Sequence, residues 1–312
     1  MKAIVLKTAG NVENLEYVEL EKPVLKDGEV LVKVKAISIN PVDVKSRQGK
    51  GVYGRIKEES PLILGWDISG IVEESKSEIF KVGDEVFGMV NFPGHGKAYA
   101  EYVSAPANQL ALKPKNISFE EASASTLVAL TAYQALVHNA NIQNGQNVLV
   151  HAASGGVGHI AVQLAKHLGA NVTGTSSAKN KDFVLSLGAD SHIDYQGFDW
   201  KSAGRTFDFV LDTIGGENID HSLEVTKEGG SIISIPTGLN EEVTAKAEAK
   251  GVKGYFILVQ SNGEDMKQIA HLLEIGAIKP HVSKTFPFEQ MREAHLEQET
   301  GRTVGKIVVT FS

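Results

Sequence analysis

The chain has 312 residues, with 31 Lys and Arg against 38 Asp and Glu, ten His, no Cys and 42% of positions in the broad hydrophobic set. That length exceeds what one core usually supports, so about two domains are expected. The missing cysteines exclude disulfides, a thiolate nucleophile and any Cys-ligated zinc, and a net charge of −7 without a basic block argues against a nucleic-acid partner.

The first segment carries a short apolar run between Lys2 and Lys7, which reads as a strand and is too brief for a signal-peptide core. No apolar stretch approaches the roughly 18 residues that span a bilayer. Membrane insertion is therefore not expected, and a cytoplasmic location is the default. Val32, Val34 and Ala36 alternate with Lys33 and Lys35, the period of a half-buried strand. Further strands are expected at 68–72, 84–90 and 99–104, with Val82, Gly83 and Asp84 as a turn. Up to about residue 115 the chain reads as a β-rich module.

After Pro114, Ser118 followed by Glu120 and Glu121 opens a helix expected to run through Ala122, Leu127, Leu130, Ala132 and Leu136. Strands at 147–150, 171–175, 191–193, 207–211, 231–235 and 255–259 then alternate with helices such as 157–168 and 181–187. Short apolar strands spaced by helices predict βαβ units and a doubly wound parallel sheet. Beyond residue 260 an amphipathic helix, Pro280, a helix at 288–297 and a last strand at 306–311 follow. A strand arriving so late needs a sheet, and its return to the N-terminal module would make that module discontinuous.

The most informative stretch runs from Asn147 to Gly158. Read against G-x-G-x-x-G it supplies Ala153, Gly155 and Gly158 between a strand and a helix, the setting a dinucleotide pyrophosphate needs. Gly155 and Gly156 let the backbone approach phosphate, Gly158 permits close packing of helix on strand, and the helix start at Val157 offers unpaired amides. An ordinary glycine-rich turn is the plain alternative. A nucleophile elbow with Ser154 as acyl-transfer nucleophile is a third reading, but its first glycine is missing.

An NAD site usually presents an acidic residue about 20 positions beyond the glycines. Here no acidic residue occurs from His159 to Lys181, and the second strand ends in Ser176, Ser177, Ala178, Lys179, Asn180 and Lys181. Hydroxyls and lysines receive a 2′-phosphate where a carboxylate would repel it. NADPH is the expected cofactor, with solvated lysines as the alternative reading.

These residues resemble the medium-chain dehydrogenase/reductase superfamily, in its zinc-independent quinone oxidoreductase and alkenal/enone reductase branch. The likeness extends over nearly the whole chain: Asn40-Pro41-Val42-Asp43-Val44-Lys45, Gly65-Trp66-Asp67 with Gly70, Val82-Gly83-Asp84-Glu85-Val86, Leu187-Gly188-Ala189-Asp190, Ile193-Asp194-Tyr195 and Gly305-Lys306-Ile307-Val308. The resemblance implies a Rossmann domain at 118–259 inserted into a GroES-like substrate domain made of 1–117 and 260–312. It also implies a homodimer joined at the edge strand 255–259. In the zinc-dependent branch a Cys stands where Asn40 stands and Gly-His-Glu where Gly65-Trp66-Asp67 stands, and no two of the ten His are four apart. No metal site is expected, and His95 reads as a solvated loop residue.

What the resemblance leaves is hydride reduction of an acceptor that is already electrophilic, a quinone or an α,β-unsaturated carbonyl, without metal. Lys45 is the candidate donor to the developing oxyanion, or a surface lysine. Asn40 is a candidate for a hydrogen bond to substrate or ribose, and Asp43 for holding the loop. Tyr53 reads as proton donor or aromatic wall, Trp66 as a stacking face or core filler, and Thr131 as a nicotinamide contact or a helix-interior Thr. At the cofactor the resemblance carries over Gly155, Gly156, Val157 and Gly158 to the pyrophosphate, Ser177, Lys179 and Asn180 to the 2′-phosphate, and Tyr195 to the adenosine. Ile235 and Thr237 end a central strand beside the cofactor, Lys45 also lies near the nicotinamide ribose, and Arg302 reaches a phosphate or stays in solvent. The competing function is an NADPH-binding regulatory or moonlighting protein with little turnover.

Overall fold

The computed structural model describes residues 1–311. Its contacts divide into two compact units, one made of Met1–Leu130, Val259–Gly276 and the chain from Pro280 on, the other of Thr131–Leu258 with Ala277–Lys279.

The first unit opens with an antiparallel ribbon of β1 (Lys2–Leu6) and β2 (Leu15–Glu19). The long strand β3 (Glu29–Ile39) follows, then the short helices α1 (Pro41–Arg47) and α2 (Tyr53–Ile56). Next come β4 (Asp67–Ser75), β5 (Glu85–Met89), β6 (Tyr102–Pro106) and β7 (Leu110–Leu112). The alternation read from the sequence is seen in β3, where Val32 and Val34 are buried and Lys33 is exposed.

A single helix was expected across 118–136, but the chain forms α3 (Phe119–Ser123), a break, and α4 (Leu127–Tyr133), followed by a wider turn at Gln134–Asn139. Ser118 and Glu121 exchange capping hydrogen bonds that start α3. The break has a tertiary cause: the Leu127 N–H donates to the buried Asp67 carboxylate at 3.1 Å, and the Thr126 hydroxyl to the Ser123 carbonyl at 3.0 Å. Helical periodicity continues through the gap, whereas the hydrogen bonds go elsewhere.

The second unit is built from β8 (Asn147–Val150), α5 (Gly156–His167), β9 (Asn171–Ser176), α6 (Lys181–Ser186) and β10 (Ser191–Asp194). After these come β11 (Phe207–Asp212), α7 (Asn218–Val225), β12 (Thr226–Ser234), α8 (Val243–Glu248) and β13 (Lys253–Phe256). The strands are parallel in the order β10-β9-β8-β11-β12-β13. This is the doubly wound arrangement, whose order reverses between β8 and β11, where such sheets bind ligands beyond the strand C-termini. One face of the sheet packs Leu149, Val210 and Ile232 against Trp200, Ile219, Leu223 and Val243. The edge strand expected at 255–259 lies earlier, at Lys253–Phe256 in register with Ser231–Ser234, and Gly254 fits its bare Cα against α8, where a Cβ would come within 2.3 Å of Ala247.

The chain then returns to the first unit as α9 (Gly263–Glu274), β14 (Val282–Pro287), α10 (Met291–Glu299) and β15 (Lys306–Thr310). β15 pairs antiparallel with β3 from Ile307↔Ile39 to Thr310↔Ala36 and parallel with β14. The late strand thus closes the sheet of the N-terminal module, in the order β14-β15-β3-β4-β5-β7 with β6 also on β3. Among the described residues no helix is long and apolar enough to cross a membrane.

Candidate active site

In the second unit the turn after β8 is pinned on both sides. Ala153 N–H donates to the Thr175 carbonyl of β9 at 2.8 Å, and Gly155 N–H to the Ala152 carbonyl at 2.8 Å. Ala152 adopts φ +46, a left-handed conformation that costs an L-residue roughly 1–2 kcal/mol. Strain of this kind persists where the surroundings over-determine the backbone. Gly158 lies against the same carbonyl, where a Cβ would sit 2.2 Å from Ala152 O. Gly155 caps α5, and the N–H groups of Gly156, Val157 and Gly158 in its first turn have no partner within the helix by helix geometry. The turn therefore presents unpaired amides and a positive helix end at the switch point of the sheet, which fits a pyrophosphate.

The loop after β9 is tied to this turn: Asn180 Nδ2 donates to Ser154 Oγ at 3.1 Å. An amide cannot take a hydroxyl proton, so this contact positions Ser154 and does not activate it as a nucleophile. Lys179 and Lys181 are exposed, Ser177 and Asn180 partly so. Tyr195, at 51% exposure, offers an open ring. The Ile235 N–H is held by the Asp212 carbonyl at 3.0 Å. Sequence reasoning missed His192, whose Nε2 stands 2.7 Å from Ser176 Oγ beneath this loop, and the buried His151 at the end of β8, whose Nδ1 meets Thr175 Oγ1 at 3.1 Å. Burial holds the His151 imidazole neutral, its pKa pulled down to about 4.

In the first unit Lys45 is half-buried on α1, and burial together with the neighbouring Lys50 lowers its pKa from the ordinary lysine value. A lysine moved in that direction exchanges protons more readily near neutrality. Tyr53 opens α2 and is partly exposed, and Arg302 is exposed; Thr131, buried within α4, is the first residue of the second unit. Trp66 is fully buried; its Nε1 donates to the Gly94 carbonyl at 2.6 Å and its ring meets Phe92 edge-on at 5.3 Å. Of its two readings, core filler is the one the structure gives. His95 is not the solvated residue expected: its side chain is buried, Nε2 accepts from the Ile63 N–H at 3.2 Å, and Nδ1 lies 3.2 Å from the Glu59 carboxylate.

Asn40 is 1% exposed, and its side chain bonds within the protein, Nδ2 donating to Asp67 Oδ2 at 2.7 Å and Oδ1 accepting from Lys306 Nζ. Asp43 caps α1 by accepting from the Asn40 N–H at 2.8 Å, and it accepts from Tyr99 Oη at 3.0 Å. Burial and the like charge of Asp67 push the Asp43 carboxyl up to about 7. Burial pulls Lys306 down to about 8, against the attraction of the two carboxylates. Neither Lys306 nor Tyr99 has a local signal, since their partners are distant in sequence. A zinc ion does not fit this donor set: the chain has no Cys, Trp66 is core, and an ammonium already occupies Asn40. Among the described residues no three His, Asp or Glu cluster as metal ligands.

Comparison with known proteins agrees over both units. The family profile "Alcohol dehydrogenase GroES-like domain" matches residues 26–115 and "Zinc-binding dehydrogenase" residues 187–309. A 2-methylene-furan-3-one reductase of Solanum lycopersicum is 36% identical over 92% of this chain and 73% of its own. The NADPH-dependent alkenal/one oxidoreductase of Arabidopsis thaliana is 35% identical over 99% and 79%. Among solved structures, the quinone oxidoreductase from Coxiella burnetii superposes with a TM-score of 0.94 at 36% identity, covering 99% of each chain. The Escherichia coli quinone oxidoreductase complexed with NADPH gives 0.88 at 29% identity, over 99% of this chain and 100% of that one.

Proposed function

The chain belongs to the medium-chain dehydrogenase/reductase superfamily, in the branch of quinone oxidoreductases and alkenal/enone reductases, and from that premise we propose that it reduces a quinone or an α,β-unsaturated carbonyl with NADPH. The observation that carries the reading is the strained turn at Ala152 and Gly155–Gly158, set at the switch point of a parallel sheet and followed by a loop with two lysines and no carboxylate. Bound there, NADPH supplies the hydride.

The first-turn amides of α5 hold the pyrophosphate, and Ser177, Lys179 and Asn180, with Lys181 beside them, hold the 2′-phosphate. Tyr195 covers the adenosine, while Ile235 and Thr237 line the strand ends. The Lys45 ammonium donates to the oxygen on which negative charge develops, with Tyr53 and Thr131 as further contacts to the reacting groups and Arg302 as a phosphate contact. Asn40 acts on α1, the helix that carries Lys45. A homodimer paired along the β13 edge is part of the same reading, supported by the unpaired outer side of that strand and by Phe256 at 40% exposure.

The test is NADPH oxidation against a panel of quinones, enals and enones with NADH as control, together with NADPH binding by fluorescence. Binding with turnover of at least one acceptor class is expected; absence of NADPH binding sinks the proposal. Replacing Lys179 and Lys181 by Ala should lower the NADPH over NADH preference at least tenfold, and an unchanged ratio removes them from the 2′-phosphate site.

A further inference from the structure

Between β3, β4, α1 and β15 of the first unit lies a closed set of ionisable groups that hydride delivery does not itself use. Lys306 Nζ donates to the Ile39 carbonyl at 2.8 Å and to Asn40 Oδ1. Asn40 Nδ2 donates to Asp67 Oδ2, and the Asn40 N–H to Asp43 Oδ2. Asp43 Oδ1 accepts from Tyr99 Oη, which stands 2.8 Å from His295 Nε2 on α10. The six side chains so linked, those of Lys306, Asn40, Asp67, Asp43, Tyr99 and His295, belong to residues 2% exposed or less.

An ammonium has donors only, so the Asn40 atom facing Lys306 must be the oxygen. The amide nitrogen is then aimed at Asp67, and the orientation of Asn40 follows from one buried cation. Asn40 is also the residue from which α1 starts. The far end of α1 is anchored independently, by Arg47 Nε donating to the Gly10 carbonyl at 3.2 Å and by the Arg47–Glu299 ion pair. A buried ion pair is a weak source of net stability, and its better-attested use is to fix one arrangement among several.

We propose that Lys306 is a positioning residue of the reaction: its ammonium fixes the Asn40 amide, and with it the first turn of α1, so that Lys45 on that helix is presented in one geometry. The inference rests on the reading of Lys45 as the oxyanion donor.

Lys306→Met alone strands Asp67 without its counter-charge and is expected to fold poorly. Lys306→Met with Asp67→Asn removes both charges and keeps an amide beside Asn40. The double variant is expected to melt close to wild type and to bind NADPH within twofold, while kcat for a quinone falls at least tenfold. A folded double variant with kcat within twofold of wild type overturns the proposal, because Lys306 would then only balance Asp67.

The unaltered protein gives a second reading should the double variant not fold. Lys306 is faced by Asp67 from β4 and by Asn40 and Asp43 at α1, and behind Asp43 stand Tyr99, His295 of α10, and Arg47 with Glu299. At saturating NADPH, kcat should fall as pH rises through about 8, where Lys306 gives up its proton. Lys45→Arg, whose guanidinium does not titrate there, should keep that fall in its residual activity. A kcat flat to about pH 9, or a fall that disappears in Lys45→Arg, overturns the assignment to Lys306. Failure of the underlying reading is separate: a wild-type kcat in Lys45→Met removes Lys45 as the oxyanion donor, whatever the double variant shows.

Discussion

At the scale of single residues, the phosphate turn shows how a backbone conformation becomes a binding property. Ala152 is held at φ +46, and its carbonyl lies where a Gly158 side chain would have to stand. Gly158→Ala therefore has no room that a rotamer change could supply. It should cost about 1–3 kcal/mol of stability, the usual range for overpacking, and weaken NADPH binding more than tenfold, measured by denaturation and fluorescence titration. The neighbouring His151 gives a pH prediction. Its native pKa is depressed to about 4, so below about 6.5 the unfolded chain takes a proton that the folded one refuses, and stability is lost as pH falls through that window. The loss attributable to His151 is about 2 kcal/mol at pH 5. The drop in melting temperature from pH 7 to pH 5 should shrink by a few degrees in His151→Asn, and an equal drop in both proteins refutes the assignment. His295, kept neutral by burial and by Arg47, adds to the wild-type slope with the same sign.

At the scale of elements, the two starts of the broken helix are made differently. α3 begins on a local device, Ser118 with Glu121 three residues on, and Ser118→Ala should cost about 1 kcal/mol, the usual worth of such a cap. α4 begins on a carboxylate brought from β4: Asp67 accepts from the Leu127 N–H while also meeting Asn40. Asp67→Ala should cost about 3–5 kcal/mol, since it leaves the Lys306 charge buried without that partner. Urea denaturation measures both costs, and an Asp67→Ala cost no larger than that of Ser118→Ala would show that Lys306 does not depend on Asp67 as its counter-charge. The same contrast explains what could be read in advance. The Ser118 start is written in four consecutive residues, whereas the break at 124–126 depends on a side chain 60 positions away. β14 was missed because its sequence, VSKTFP, is largely exposed and carries little apolar alternation, and β2, LEYVE, because its five residues bury Leu15 alone.

At the scale of the whole molecule, the chain leaves the first sheet, builds the parallel sheet of the second unit, and comes back as β15 beside β3. Sedimentation should find a dimer if the β13 edge is the pairing surface, and Phe256→Lys, which places a charge on that edge, should shift it toward monomer with NADPH binding retained. A monomer in the wild type removes the pairing proposal. By itself the sequence determined the βαβ alternation, the strand-turn-helix at 147–158, the basic loop that follows it and the absence of thiol ligands, because each is a short-range pattern of apolar period, glycine or charge. The residue groupings it could not supply are those with distant partners. Lys306 acquires its surroundings only when β15 is laid against β3 and Asp67 arrives on β4, and Trp66 and His95 are buried only once their loops close over one another. Local pattern sets which backbone can form, whereas the pairing of strands far apart in sequence decides which charges are taken out of water together, and therefore which of them meet at the start of α1.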